Sequence, residues 1–268
     1  MQLFRDHTPI EAYYVKNRTV YVKRDDRYGI HPAPPLGKLR GLRVFIEHLY
    51  DRRERLVGCW DTRVSKLGQG VAAICRSLPG MHAVVSYPTR KGSLIPDSIK
   101  IAKSLGAEIY PIRGNHVSIC YAQVKKYIAK RGGMMIPFGM ESQEAVDAIA
   151  AEAEKIPTGL LKGGTLVLCC GSGVTLAGLL LGLKTLPDKI VGLSSGRSVS
   201  KIMACVNRYV INIPKGIQIH PAHIPYYQVP EFDSPFPSHP NYDLKAWKFL
   251  VENMEYYSDP LFFWNIGA

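Results

Sequence analysis

Short apolar runs alternate with stretches of helical periodicity along most of this chain. Residues 56–60 read as a strand, 65–78 have helical spacing, and 82–87 read as a second strand. The pattern repeats as a helix over 93–105 stopped by Gly106, a strand over 107–112, a helix over 118–130 and a short strand over 134–137. Residues 142–155 form a helix with Ser142 as N-cap and a strong Ala/Glu bias. A strand over 165–170, a helix over 174–186 and a strand over 189–194 follow, and 242–254 (helix) and 260–264 (strand) close the series. Strands alternating with helices predict an α/β fold of mostly parallel, twisted sheets flanked by helices. Residues 213–241 break the alternation. They hold seven prolines and three histidines with few apolar repeats, so an irregular segment is expected there.

The length of 268 residues suits one large domain or two modest ones, and a hydrophobic content of 46% supplies a sizeable core. No apolar run approaches the ~20 residues that span a bilayer. The longest candidate, 175–186, is too short and follows a glycine turn. Met1 is not followed by a basic-then-apolar leader. Cys59, Cys75, Cys120, Cys169, Cys170 and Cys205 show no CxxC or zinc spacing and sit mainly in apolar stretches, as buried thiols do. These features imply a protein of a reducing cytoplasm without a membrane anchor. The net charge of +12 is less ordinary, with basic residues clustered at 16–27, 38–55 and 113–131 and recurring at Lys201, Arg208 and Lys215. It reads either as a solvated basic face or as a surface for an acidic partner, most simply nucleic acid.

Two features carry chemistry. Gly171-Ser172-Gly173-Val174-Thr175 follows an apolar strand and opens an apolar helix. Glycines let the backbone approach an anion, the helix N-terminus offers N–H groups and a favourable dipole, and Ser172 and Thr175 add hydroxyls. This is not a dinucleotide fingerprint, because Leu176 stands where a third glycine belongs and no acidic residue lies about 20 positions on. Nor is it a P-loop, since no GK[ST] occurs. The second feature is Lys38, just after an early strand. A lysine and an anion-binding turn together can hold an aldehyde at one end and a phosphate at the other, and pyridoxal 5'-phosphate (PLP) has both groups.

The surroundings of these features resemble a known family. Lys23-Arg24-Asp25-Asp26 followed by Gly37-Lys38-Leu39-Arg40 is similar to the KRED…NKxRKLE opening of the 1-aminocyclopropane-1-carboxylate deaminase and D-cysteine desulfhydrase group. These are fold-type II PLP enzymes of the tryptophan synthase β-like family. Ser65-Lys66-Leu67-Gly68-Gln69-Gly70-Val71-Ala72 resembles SNxxxQVA, Ile136-Pro137-Phe138-Gly139 resembles IPxG, and 170–178 resembles GSGGTxAG. Asn241-Tyr242-Asp243-Leu244-Lys245-Ala246 and 260–267 resemble xYEGKA and PVLFWHTG. The blocks run in order from about residue 20 to the C-terminus. Departures are Gly37 for asparagine, Gly41 for a phosphate-contacting lysine, and Lys66 for an asparagine that bonds the cofactor's phenolic oxygen. They imply a remodelled substrate pocket.

The resemblance implies two domains, 1–45 with 139–268 binding PLP and 46–138 forming a smaller domain, with PLP in the cleft between them. It implies that Lys38 carries PLP as a Schiff base, that 171–175 holds the phosphate, and that Asp243 faces the pyridine nitrogen. Ser65 and Tyr242 would act near the reacting carbon, Lys66 would face the phenolic oxygen, and the assembly would be a homodimer. Plainer readings stand beside these: Asp243 or Ser65 as a helix cap and Tyr242 as a core aromatic. Tyr226 and Tyr227 lie where a substrate-facing aromatic is often placed, with neither assigned. His220, His223 and His239 lack the neighbours of a metal site and read as surface or pocket residues. Three functions follow: Cα chemistry (deamination, elimination or a related lyase reaction) on a free amino acid; decarboxylation or cleavage of an amino acid attached to a DNA base, as in viral DNA hypermodification; or a non-catalytic binding protein that retains the fold.

Overall fold

The computed structural model describes residues 2–114 and 116–268. Strands β1 (Ile10–Val15), β2 (Arg18–Arg24), β3 (Leu56–Trp60), β4 (His82–Thr89), β5 (Glu108–Arg113), β6 (Met134–Met135), β7 (Thr165–Cys170), β8 (Lys189–Ser194), β9 (Ile217–Pro221) and β10 (Leu261–Asn265) are interleaved with helices. The helices are α1 (Leu39–Asp51), α2 (Leu67–Ser77), α3 (Asp97–Ser104), α4 (Val117–Ala129), α5 (Gln143–Ala153), α6 (Val174–Gly182), α7 (Val199–Val206) and α8 (Asp243–Glu252). The chain divides into two compact units. The first comprises 2–4, Gly29–Pro34 and Leu39–Met140; the second comprises Arg5–Tyr28, Pro35–Lys38 and Glu141–Ala268. The boundary expected between residues 45 and 46 falls inside α1, whose stripe of Leu39, Leu42, Ile46 and Leu49 is buried and belongs to the first unit.

The first unit holds a four-stranded sheet in the order β5-β4-β3-β6, parallel throughout. Trp60 and Val84 from the sheet pack with Cys120, Val124 and Ile128 of α4. The second unit holds a six-stranded sheet in the order β1-β2-β10-β7-β8-β9. Its β1–β2 pair is an antiparallel hairpin turning at Lys16 and Asn17, both at positive φ (47° and 63°), as a two-residue type I′ turn requires. All other pairings in this sheet are parallel. Every residue of β7 and β10 is buried, which explains why both read as unbroken apolar runs. Phe236, Trp247 and Phe263 meet edge-on or tilted over this sheet, with ring centroids 4.8–6.0 Å apart.

The alternation read from the sequence has an early strand before Lys38, which is β2, and omits its hairpin partner β1 as well as α1 and α7. It also treats 213–241 as wholly irregular, whereas β9 lies there and pairs with β8. The Ile217–Ile219 alternation is short and bracketed by Pro214 and Pro221, which hides it. An outermost strand tolerates a proline because one side of its ladder is unpaired. Buried ion pairs tie β2 to its surroundings. Lys23 binds Glu152 of α5 at 2.5 Å and the Thr8 carbonyl at 2.6 Å. Arg24 binds Asp26 through two nitrogens and Glu11 through a third contact. Among the described residues no helix is long and apolar enough to cross a membrane, and all six cysteines are buried and unbridged.

Candidate active site

In the second unit β2, β10, β7 and β8 are parallel neighbours, so their carboxyl ends share one edge. Ligands of open α/β sheets bind at such edges. Four segments leave it: Asp25-Asp26 after β2, Ile266-Gly267 after β10, the 171–175 turn after β7, and Ser195–Arg197 after β8. Lys38 reaches the same edge because its approach strap is pinned to the end of β10. Gly37 N–H donates to the Ile266 carbonyl (2.7 Å), and Leu36 bridges Gly267.

The Lys38 amine abuts the glycine turn: a Cβ built on Gly171 would lie 3.6 Å from Nζ. The residue retains some solvent exposure along its length, yet its amine is enclosed by protein atoms. Burial holds its pKa below the usual lysine value, against the opposing pull of Cys169 and Asp243. Asp243 is buried, and burial pushes its carboxyl up to about 7, opposed by hydrogen bonds from Ile266 N–H (3.0 Å) and Gly267 N–H (3.2 Å) and by Lys38. Its carboxylate thus faces the end of β10. It does not cap α8, whose N-cap position is Tyr242, where no side chain makes a capping hydrogen bond.

The turn is shaped as an anion cradle needs. Gly173 sits at φ 101° as the N-cap of α6, and a Cβ there would come within 2.7 Å of the Ile202 carbonyl, so only glycine fits. Val174 and Thr175 open the helix, where the first N–H groups lack intrahelical partners. The Ser172 and Thr175 side chains are buried beside them. Sequence reasoning missed the brace behind this turn. Arg197 Nη1 donates to the Ser172 carbonyl (3.3 Å), and Arg197 and Arg208 both pair with Glu141. Because the peptide is planar and trans, a carbonyl held on one side aims the following N–H, that of Gly173, the other way.

Tyr242 is half-buried, and its hydroxyl hydrogen-bonds that of Tyr226. Lys245 Nζ (3.2 Å) and Asn241 Nδ2 (3.0 Å) both hold the Tyr226 carbonyl, fixing the loop that presents it, while Tyr227 is 81% exposed. His239 is buried with its ring against Tyr242, and His220 packs against Phe249. Among the described residues no group of three metal-ligating side chains occurs. Gly37 has a physical explanation as well. A Cβ there would lie 2.0 Å from Asp25 Oδ2, and that carboxylate accepts from Thr8 Oγ1 (3.2 Å) and Trp264 Nε1 (3.4 Å). The asparagine that the motif resemblance leads one to expect has no room here.

Ser65 and Lys66 lie in the first unit. The helix expected from residue 65 starts at Leu67 with Lys66 as N-cap, and Ser65 Oγ accepts from Leu67 N–H (3.1 Å). The group organising this segment is Asp61, which the sequence does not single out. It is buried at the end of β3, accepts from Gly68 N–H (2.7 Å) and Thr62 N–H (2.9 Å), and hydrogen-bonds Ser65. Burial raises its pKa to about 6.

A low-pKa lysine amine against a glycine turn, a helix N-terminus and a buried carboxylate at the next strand end fit an aldehyde–phosphate cofactor with a ring nitrogen. The sequence matches the pyridoxal-phosphate dependent enzyme family over residues 12–225. The chain belongs to that family and is a PLP-dependent enzyme of fold-type II. It is 31% identical, over 98% of its length and 99% of the relative's, to a glycyl-dTMP PLP-dependent decarboxylase of Pseudomonas phage M6. Among solved structures it is similar to an ACC deaminase homologue, with a TM-score of 0.81 at 18% identity, covering 99% of this chain and 90% of the other. A hydrogen sulfide-producing enzyme of Fusobacterium nucleatum matches with a TM-score of 0.68 at 13% identity, over 98% and 94% of the two chains.

Proposed function

We propose that this protein is a decarboxylase that removes the carboxylate of an amino acid attached to a thymidine nucleotide. The end-to-end correspondence with the phage glycyl-dTMP decarboxylase carries this reading. We assign Lys38 to the aldehyde of PLP, the 171–175 turn to its phosphate and Asp243 to its pyridine nitrogen. When bound, PLP supplies an electron sink conjugated to the substrate's amino nitrogen. The residues handle protons around it. Lys38, which sheds its proton more readily than an exposed lysine, would be the residue that holds the aldehyde. Burial favours the protonated form of Asp243 and two backbone N–H groups oppose it, so a positive charge placed against the carboxyl would tip it to the ionised form and be supported by it. Loss of carbon dioxide leaves an electron pair at Cα that takes up one proton. The Lys38 amine and the Tyr226–Tyr242 hydroxyl pair are the groups assigned to deliver it.

A second reading, deamination or elimination on a free amino acid, draws on the structural likeness to the ACC deaminase homologue. Incubating the PLP-loaded protein with glycyl-thymidylate and, separately, with a panel of free amino acids separates the two. Mass spectrometry should show loss of 44 Da (carbon dioxide) from the nucleotide. Ammonia or keto-acid release from a free amino acid, with the nucleotide untouched, would transfer the assignment to the second reading.

A further inference from the structure

The surplus of positive charge is not spread over the molecule. The first unit carries 17 Lys and Arg against 6 Asp and Glu, a net +11, and the second carries 17 against 16, a net +1. The carboxyl edge of the four-stranded sheet shows a distinctive part of this surplus. Because β5, β4 and β3 are parallel neighbours, the ends of all three meet on one rim. Adjacent strands lie about 4.8 Å apart. Arg63 follows β3, Arg90 and Lys91 follow β4, and Arg113 ends β5. Arg90, Lys91 and Arg113 are exposed, and none of these four cations forms an ion pair among the described residues. Acidic groups at this rim are already engaged: Asp61 is buried under backbone N–H groups, and Asp97 pairs with Lys100. The opposite edge differs, since Arg131 there pairs with Glu108 at 2.6 Å.

The rim is also built. Arg63 donates to Ser93 Oγ (3.1 Å) and the Leu94 carbonyl (2.6 Å), joining the loop after β3 to the loop after β4. Ser93 closes that second loop on Arg90 through its hydroxyl (2.8 Å), and Ser98 Oγ ties α3 to the Ser65 carbonyl (3.1 Å). The braced loop lifts Leu94 and Ile95 into solvent between cations, 85% and 50% exposed. Like charges held within a screening length of about 8 Å repel one another unless an anion lies across them.

We infer that this rim binds the phosphate backbone of DNA, so that the nucleotide bearing the amino acid is met as part of a polymer. The inference rests on the nucleotide reading above. Cations set along three successive strand ends, without converging on one point, suit a row of phosphates better than a single one. The test uses the full-length, PLP-loaded protein, a fluorescein-labelled DNA duplex and anisotropy at 50–200 mM salt. R90S/K91S/R113S should bind about ten-fold or more weakly at low salt. Its log–log salt slope should fall by about 2.7, from three lost phosphate contacts. R52S/R53S/K130S removes as much charge from the opposite edge and should bind as the native protein does; unchanged thermal unfolding checks both folds. Equal losses in the two triple variants, or no loss in the first, overturn the rim. A native protein that decarboxylates glycyl-thymidylate yet ignores the duplex also overturns the rim and leaves the proposed function standing. Absence of turnover with glycyl-thymidylate both free and carried in a duplex, that duplex being bound through the rim, strikes the proposed function instead.

Discussion

At the carboxyl edge of the six-stranded sheet, the charged groups are enclosed: Lys38 presses its amine on Gly171, and Asp243 is 2% exposed under two backbone N–H groups. At the carboxyl edge of the four-stranded sheet, Arg90, Lys91 and Arg113 stand in solvent. Both edges arise from the same parallel topology, which aims loops and helix N-termini at a common rim. The difference lies in what surrounds the charges. Enclosure shifts proton affinities, which is what chemistry on a substrate needs. Exposure leaves charges fully ionised and screened, which suits attraction at a distance. One topology therefore yields both an enclosed and a solvated set of charges, and solvent access is what separates them.

The comparison breaks most visibly if the enclosed edge proves dispensable. Lys38→Ala should lower turnover by about 10²–10⁴-fold and remove the PLP that borohydride otherwise fixes covalently at residue 38, measured by steady-state assay and by mass spectrometry of the reduced protein. A second contrast sets enclosed against exposed ion pairs. Glu152→Ala strands Lys23 without its carboxylate in the interior and should cost about 3–5 kcal/mol in urea unfolding. Glu108→Ala removes an exposed partner of Arg131 and should cost under about 1 kcal/mol. Comparable losses from the two would erase the distinction.

The pH dependence sharpens it further. Asp243 has a folded pKa of about 7, above the ordinary carboxylate value of 3.8. Between those values the folded state holds the extra proton. The stability this group contributes is therefore full below about pH 4 and is lost as pH rises through about 7. Asp243→Asn should flatten the fall in cofactor-free stability across that window, by up to about 4 kcal/mol, in denaturant titrations at stepped pH. A slope unchanged from the native protein would count against an enclosed, proton-holding carboxyl. The smallest effect concerns the brace. Arg197→Ala should raise the PLP dissociation constant by about ten-fold, or ~1.4 kcal/mol, and leave pyridoxal binding unchanged, if the turn holds the phosphate as proposed. Equal weakening of both ligands would assign Arg197 to general folding.

Much of this arrangement is legible in the residues. The Gly171–Thr175 turn stands out because its chemistry is local, a backbone that only glycine permits at 173, whereas Lys38 stands out only through the motif resemblance around it. The apolar runs of β3, β7 and β8 mark those strands at their observed limits. Asp61, Glu141 and Arg197 pass unnoticed since nothing in their immediate neighbours distinguishes a strand-end acid or a loop arginine from a solvated one. Gly37 reads as a departure in a motif until Asp25, 12 positions earlier, is seen to fill the space a side chain would need. Tyr226 and Tyr227 are indistinguishable in sequence, and the grip of Asn241 and Lys245 on the Tyr226 carbonyl separates them.

By itself, the order of apolar and polar residues determined the alternating α/β plan and the glycine turn between a strand and a helix, since both follow from short-range periodicity and backbone sterics. The tertiary structure alone decided which charges are enclosed and which are solvated. That property belongs to no single segment. The proton affinity of Asp243 depends on its burial first, then on the N–H groups that follow β10 and on Lys38, brought to it from the end and the beginning of the chain, and the cationic rim exists only because three separated strands run side by side.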